Sequence, residues 1–472
     1  MIDSKRQLTK YVLSDYVMSN VAWLIFNIIR FFIPVVTSGY AELGDFLLSR
    51  NVVIGQIFMP IIMMLVYYLS GYYNIIFFKS RLHELFTTIG SVTINTLILF
   101  FTALINDIVP LRSENYELIL ILFAVQFICI YAPRLIITTD ATHKIHNRQW
   151  YFNTLIVGCG KQALKLTRDL NNRTIALGYH IVGYVDIEEG SHATQLEMPI
   201  YDCNNLEELC NRLDIKYIIV AIDDNSHIRL NKVVNMLFPL NRHIKIQSDI
   251  FHQLTGRVRL SNIYGEPLVD INSCAISEGA RNIKRLFDIV FSFIALILIS
   301  PVIAVLAILI KLDSKGPVFF KQERIGYHHK PFYLYKLRTM YIDAESDGTP
   351  RLSSINDKRI TPLGRILRKY RFDELPQFWN ILKGDMSLVG PRPEREYFIK
   401  QIMEKAPYYA LMYQIRPGLT SWGMVKYGYA RNVDEMVERL QYDVIYLENM
   451  SMLVDLKIII YTIRTVLLGR GM

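Results

Sequence analysis

Residues Arg368–Glu394 read RKYRFDELPQFWNILKGDMSLVGPRPE, a cation-rich approach to an adjacent acid pair and then a rigid Pro/Gly loop. Asp373 and Glu374 precede Pro376 and a short apolar run. Leu375, Phe378, Trp379 and Leu382 recur at helical spacing, which predicts one buried helix face. Pro376 suits the first turn of that helix and Gly384 its stop. The acids are therefore expected at a helix N-terminus, where unpaired N–H groups and the dipole favour negative charge. Arg365, Arg368, Lys369 and Arg371 crowd the approach. Two readings stay open: a capped helix with solvated acids, or a nucleophile or metal ligand acting on a phosphate. The loop from Asp385 to Glu394 carries Arg392 and is expected to return to the same helix end.

The chain around this stretch has 472 residues, enough for about three domains. It is 51% hydrophobic, with 24 Phe and 29 Tyr, and its mean hydropathy of +0.22 is high for a soluble protein. A net charge of +9 points to an anionic partner: a membrane surface, a nucleotide or a phosphate. The basic residues are scattered among apolar segments, which argues against nucleic acid. Cys129, Cys159, Cys203, Cys210 and Cys274 show no CxxC or metal-ligand spacing, so reduced thiols are expected. The ten histidines form no HExxH pattern.

Residues 1–145 read as a four-helix transmembrane domain. Apolar runs fall at Tyr16–Val36, Val52–Ile76, Leu85–Ile108 and Tyr116–Ile137, each near the ~20 residues that span a bilayer. No small-residue cleavage site follows the first run, so a removed signal peptide is not expected. Lys5, Arg6 and Lys10 precede the first run, Lys79 and Arg81 join the second to the third, and Arg134, Lys144 and Arg148 follow the fourth. The other connectors offer only Arg50 and Arg112, so both ends of the bundle are expected on the cytoplasmic side. Arg30, inside the first run, is expected to snorkel or pair.

Residues 150–265 read as a Rossmann-like soluble α/β domain. A strand at Thr154–Val157 leads into Gly158-Cys159-Gly160-Lys161-Gln162-Ala163, a G-x-G-x-x-A form of the dinucleotide fingerprint that opens a helix through Leu170. A second strand, His180–Val185, ends at Asp186, where a ribose-binding acid would sit. Further strands are expected at Ile215–Ala221 and His243–Gln247. A fold does not imply its ligand, so Gly158, Gly160, Ala163 and Asp186 are taken as a vestigial loop in a regulatory or structural domain, without NAD.

Residues 266–280 read as a linker, and 281–472 as a catalytic domain. After Arg281–Arg285, the 25 residues Leu286–Ile310 contain one charge, Asp288. Ser300-Pro301 interrupts them, and basic residues flank both ends (Lys284 and Arg285, then Lys311 and Lys315). Proline kinks a helix, and flanking cations keep both ends cytoplasmic. A re-entrant helix over 284–311 is expected, with a simple crossing as the alternative. Two strands follow around a basic turn, Tyr327–Lys330. Lys336 and Arg338 share a strand face by the period of two, which leaves two readings open, a solvated strand face or a phosphate clamp, and the clamp is expected. Residues 342–358 read as a polar loop. Leu363–Tyr370 and Met452–Leu468 have the amphipathic pattern of helices lying on a lipid surface.

From Arg281 onward the chain resembles the bacterial sugar transferases, the monotopic phosphoglycosyl transferases. The matching elements, in order, are KRLFDIVFS, the Ser300-Pro301 break, KQERIG, YKLRTM, GRILRKYRFDELPQFWNILKGDMSLVGPRPE, RPGLTSWG and VDLKI. The front of the chain is similar to the long form, in which four membrane helices and a Rossmann-like domain precede the catalytic part. The resemblance implies transfer of a hexose-1-phosphate from a UDP-sugar to undecaprenyl phosphate, releasing UMP and initiating exopolysaccharide, capsule or O-antigen synthesis.

It also implies the site residues. Asp373 is the nucleophile that forms a phosphosugar intermediate, and Glu374 binds Mg²⁺ with it. Arg368 binds phosphate, Pro391, Arg392 and Pro393 receive the nucleotide, and Lys336 lies near the site. The implied location is the bacterial inner membrane with the catalytic domain on the cytoplasmic face, and the long form points to a homodimer. Phe378-Trp379 and Thr420-Ser421-Trp422-Gly423-Met424 depart from the commoner family patterns, the second in a way that leaves sugar choice open. Two alternatives belong to other classes. An NAD-dependent nucleotide-sugar dehydratase or epimerase needs Tyr-x-x-x-Lys, and no tyrosine here has lysine four residues later. A non-catalytic assembly protein would not need the intact acid pair and Pro-Arg-Pro loop.

Overall fold

The computed structural model describes residues 4–32, 40–74, 76–77, 79, 81–104, 112–187, 198–223, 232–234, 236–240, 242–247, 268–270, 276–345, 351–352 and 357–468. It divides into two compact units. The first comprises Met1–Phe152, Arg173–Gly178 and Ser277–Ile283; the second comprises Asn153–Asn172, Tyr179–Ile276 and Lys284–Met472. Among the described residues, five helices are long and apolar enough to cross a membrane.

Four of those helices lie wholly in the first unit: α1 (Ser4–Phe31), α2 (Arg50–Leu69), α3 (Arg81–Leu99) and α4 (Arg112–His146). They pack around Trp23, Phe26, Met63, Tyr67, Leu99, Leu118, Leu122 and Ile130, and turn Leu13, Phe58, Ile94 and Ile128 outward. The third apolar run ends as a π-helical turn, Phe100–Leu104, and its last residues lie outside the described segments.

A buried polar network ties this core together. Arg134 Nη2 lies 2.7 Å from Asp15 Oδ2, its Nη1 donates to Thr88 Oγ1, and its guanidinium lies 3.6 Å from the Tyr72 ring centroid. Glu84 accepts from Tyr72 and Thr138, and Lys79 donates to the Tyr72 carbonyl. Lys79 and Arg134 are thus interior charges rather than the connector charges the sequence suggests. The helix that carries Arg134 continues unbroken to His146, and two acids neutralise the two bases, as low-dielectric burial demands. Arg30 lies over the Phe46 ring. At Gly71, with φ +81°, an added Cβ would meet the Gly279 nitrogen at 2.5 Å, so only glycine fits. There Asn282 Nδ2 donates to the Tyr68 carbonyl and Asn74 Nδ2 to Glu278.

The second unit begins with a six-stranded sheet. Its strands are β1 (Phe152–Val157), β2 (Tyr179–Asp186), β3 (Ile200–Asp202), β4 (Tyr217–Val220), β5 (His243–Gln247) and β6 (Leu268–Asp270). The order is 3-2-1-4-5-6, with five parallel strands and β6 antiparallel to β5. Leu155, Ile156 and Val157 pair with Ile218, Ile219 and Val220, and all six are buried. Helix α5 (Lys161–Asn171) follows β1, as the glycine pattern predicts. Within the linker expected at 266–280, the described residues include β6 and the start of the next helix.

That helix, α7 if the short α6 (Leu206–Arg212) is counted, runs from Glu278 to Asp313. Pro301 lies inside it without ending it. Proline has no N–H for the Ile297 carbonyl four residues back, and the Ser300 hydroxyl donates to that carbonyl instead, at 2.9 Å. Its apolar side chains are largely bare: Phe291, Ile297, Leu298, Val305 and Ile308 are all exposed. Both ends of its Lys284–Asp313 portion are held by the second unit. Near the start, Arg285 donates to the Ile381 and Leu382 carbonyls and Asp288 accepts from the Leu388 N–H. Near the end, Ile310 packs with Leu337 and Leu367.

The antiparallel pair β7 (Phe319–Ile325) and β8 (Pro331–Leu337) is followed by α8 (Pro362–Lys369), a 3₁₀ turn at Phe372–Glu374, and α9 (Gln377–Lys383). Short parallel strands β9 (Ser387–Val389) and β10 (Gly418–Thr420) close the loop region. The face of α9 differs from the expected one. Gln377, Asn380 and Ile381 are buried, whereas Trp379 is 53% exposed. The helix is short and is anchored by a polar residue: Asn380 accepts from the Tyr335 N–H and donates to the Tyr333 carbonyl on β8. Gly384, at φ +103°, ends it as expected.

Candidate active site

Asp373 and Glu374 lie in the 3₁₀ turn that precedes α9, not in the helix itself. Both are buried. Arg371 opens the turn in the left-handed region, φ 56° and ψ 26°, and so brings its side chain back over Glu374. Lys336 reaches in from β8, because Asn380 pins that strand against α9. Its Nζ donates to Glu374 Oε1 at 3.1 Å and lies 3.9 Å from Asp373 Oδ2. The expected return of the Pro/Gly loop is present: Arg392 Nη2 lies 3.6 Å from Glu374 Oε1. Arg371 Nη1 lies 3.5 Å from Glu374 Oε2.

The two acids therefore differ sharply. Burial opposes ionisation of Glu374, but Lys336, Arg392 and Arg371 overcome it and hold its carboxyl well below the usual range. Among the described residues the Asp373 carboxylate has no hydrogen-bond partner, and burial pushes its pKa up, offset by Lys336 and reinforced by the Glu374 charge. Desolvation likewise pushes the Lys336 ammonium down. The result is one acid locked as a paired anion beside one that is unencumbered and poorly solvated, with its reactivity left to be set by what binds.

Further pairs fix the loop. Glu394 Oε1 receives Arg439 Nη2 at 2.6 Å, its Oε2 lies 3.2 Å from Arg324 Nη1, and Arg324 also donates to the Pro393 carbonyl. Pro391 and Pro393 are buried on either side of Arg392. Arg368 Nε donates to Thr339 Oγ1 at 2.9 Å, and its charge acts on Asp373.

Arg338 is not brought to the acids. The strand ends at Leu337, so alternation no longer places Arg338 beside Lys336. Its guanidinium donates to the carbonyls of Ile310, Ser314 and Lys315, capping the end of α7. The Gly158–Ala163 loop has a different occupant from the one its pattern suggests. Asp223 places one carboxylate oxygen 2.8 Å from the Lys161 N–H and the other 2.7 Å from the Gln162 N–H. These are the donors a pyrophosphate would take at a helix N-terminus. Sequence reasoning missed Asp223, Arg324, Arg439 and Tyr429; only KQERIG, which contains Arg324, carried a signal.

Among the described residues, no group of three or more His, Cys, Asp or Glu could hold a metal ion. Asp373 and Glu374 are two adjacent carboxylates, a partial ligand set of the kind that magnesium completes with phosphate oxygens and water.

A sequence model described as bacterial sugar transferase matches residues 279–469. The sugar transferase EpsL of Bacillus subtilis (strain 168) is 40% identical over 189 residues, 40% of this chain and 89% of that protein. The chain belongs to the bacterial sugar transferase family. Other members of this family extend the match. The UDP-N-acetylgalactosamine-undecaprenyl-phosphate N-acetylgalactosaminephosphotransferase of Aeromonas hydrophila is 41% identical over 229 residues, 48% of this chain and 52% of that protein. The UDP-glucose:undecaprenyl-phosphate glucose-1-phosphate transferase of Escherichia coli (strain K12) is 32% identical over 295 residues, 61% of this chain and 62% of that protein. The matched segments thus span about half to three fifths of these two relatives' lengths. The matched family segment contains the acid pair, Lys336, Arg371 and Arg392.

Proposed function

We propose that this protein transfers a hexose-1-phosphate from a UDP-sugar to undecaprenyl phosphate at a bacterial inner membrane. The observation that carries this reading is the divided acid pair, with Asp373 bare and Glu374 held by three cations. An Asp373 carboxylate oxygen attacks the β-phosphorus of the UDP-sugar. The bridging P–O bond breaks, UMP leaves with its electron pair, and an aspartyl phosphosugar remains. A phosphate oxygen of undecaprenyl phosphate then attacks the same phosphorus, and the Asp373 carboxylate departs. Arg392, Arg371 and Lys336 bind the diphosphate and stabilise charge that builds on it. Arg368 is the further cation for the lipid phosphate, and Pro391–Pro393 receive the uridine. Asp373 and Glu374 would hold Mg²⁺, which when bound neutralises the diphosphate.

The four helices of the first unit form a transmembrane domain, and α7 enters the membrane and returns. Its Lys284–Asp313 portion would run about 40 Å if straight, yet both ends are gripped by one folded unit. That supports a catalytic domain seated on the cytoplasmic face, where a soluble nucleotide and a lipid phosphate meet. The 3-2-1-4-5-6 sheet serves as a Rossmann-like regulatory or structural domain without NAD, and the product starts an exopolysaccharide, capsule or O-antigen unit.

The test is UMP release from a panel of UDP-sugars with undecaprenyl phosphate and Mg²⁺. Label from a sugar-phosphate-labelled substrate should be trapped on the wild-type protein. Asp373→Asn should lower turnover on the order of 10³-fold or more and trap no label. Wild-type turnover in that variant would disprove the nucleophile.

A further inference from the structure

We propose that Tyr429 is a positioning residue for the nucleotide-sugar diphosphate, its ring carrying the guanidinium groups of Arg371 and Arg392 and holding both beside Glu374. The inference rests on the reaction proposed above. Tyr429 comes from the segment between Trp422–Lys426 and Val433–Glu448, remote in sequence from both arginines. The Arg371 guanidinium carbon lies 5.0 Å from its ring centroid and that of Arg392 lies 5.4 Å away. The two cations also converge on one carboxylate, at 3.5 and 3.6 Å from Glu374. Two like charges this close repel, and the negative face of an aromatic ring offsets part of that cost.

Arg371 shows what the arrangement is for. It adopts φ 56°, a conformation that a residue with a side chain keeps only where its surroundings over-determine it. Among the described residues its buried Nε has no hydrogen-bond partner. A guanidinium has five N–H donors in a fixed fork, and one ion pair leaves donors for the oxygens of an incoming anion. Tyr429 is 39% exposed, and its ring meets the two guanidinium groups.

Three variants test this. Tyr429→Leu should raise the KM for the UDP-sugar roughly tenfold while kcat changes less, because the nucleophile is untouched. Tyr429→Phe keeps the ring and should stay within about twofold of wild type in both. Unchanged KM in a folded Tyr429→Leu protein overturns the proposal, and so does a Tyr429→Phe defect as large as that of Tyr429→Leu. The ring–guanidinium contact is also tested without substrate, by the thermal midpoints of Tyr429→Leu, Arg371→Gln and the double variant. Non-additive shifts are expected, and strict additivity overturns the contact. If wild type releases no UMP from any UDP-sugar, the proposed reaction fails instead, and the midpoint cycle still decides whether the ring holds Arg371.

Discussion

Glu374 has three cations within 3.6 Å, whereas Asp373, its immediate neighbour, has one at 3.9 Å. In the proposed reaction this difference would give the two acids different work on one phosphorus. It would also make Lys336 the main control on the proposed nucleophile, since its charge is the largest influence favouring ionised Asp373. Burial already raises the carboxyl, so the active anion should be lost on acidification at a pH above the ordinary aspartate range. Lys336→Met removes the opposing charge and pushes the Asp373 carboxyl further up, so it ionises less readily. The acid limb of kcat/KM should therefore move to higher pH, with lower activity at neutral pH, in a profile measured from about pH 5 to 9. An unmoved limb would assign it to another group. The acids, Lys336 and Arg392 were legible in the sequence because residue type and local order carried them. Arg371 was visible only as one cation in a basic run. Its partnership with Tyr429 depends on a left-handed backbone and a long-range approach, which no local pattern encodes.

At the scale of elements, the end of α7 is stopped by one side chain. Arg338 donates to three carbonyls there: those of Ser314 and Lys315, which lie past the last helical turn, and that of Ile310, which also accepts from the Ser314 N–H. Arg338→Ala should cost roughly 2–4 kcal/mol, read as a lower thermal midpoint, because charge-assisted hydrogen bonds to a buried helix end are lost together. The KM for the UDP-sugar in the surviving folded protein should stay near wild type. A raised KM without lost stability would return Arg338 to the phosphate site that the period of two suggested. That expectation failed because the strand stops one residue short. The apolar spacing of Leu375, Phe378, Trp379 and Leu382 misled for a related reason. A short helix can be fixed by two hydrogen bonds from Asn380, and its tryptophan then faces outward. Sheet strands were more legible: β4 falls inside the expected Ile215–Ala221 and β1 contains the expected Thr154–Val157, since a buried parallel strand needs an uninterrupted apolar run.

For the whole molecule, membrane residence demands that interior charges be paired. Four apolar runs were plain in the sequence, but the pairing of Arg134 with Asp15 was not, because it joins residues from opposite ends of the first unit. Arg134→Leu would leave Asp15 buried without its partner, and the first unit should lose roughly 3–5 kcal/mol. Adding Asp15→Leu to it should recover much of that loss, measured as the thermal midpoint in detergent. The path of α7 calls for a separate test. Leu312, near its end, is 79% exposed and two residues before Ser314, whose carbonyl Arg338 caps. A helix that crossed the bilayer would deliver this residue to the outer face, about 40 Å from Lys284, while one that bends within the leaflet returns it to the inner face. In a variant lacking the native cysteines, Leu312→Cys should react with a membrane-impermeant maleimide in inverted vesicles and stay unlabelled in intact spheroplasts. Labelling in spheroplasts would make α7 a crossing helix and would leave the proposed meeting of nucleotide and lipid phosphate at the inner face without its membrane anchor.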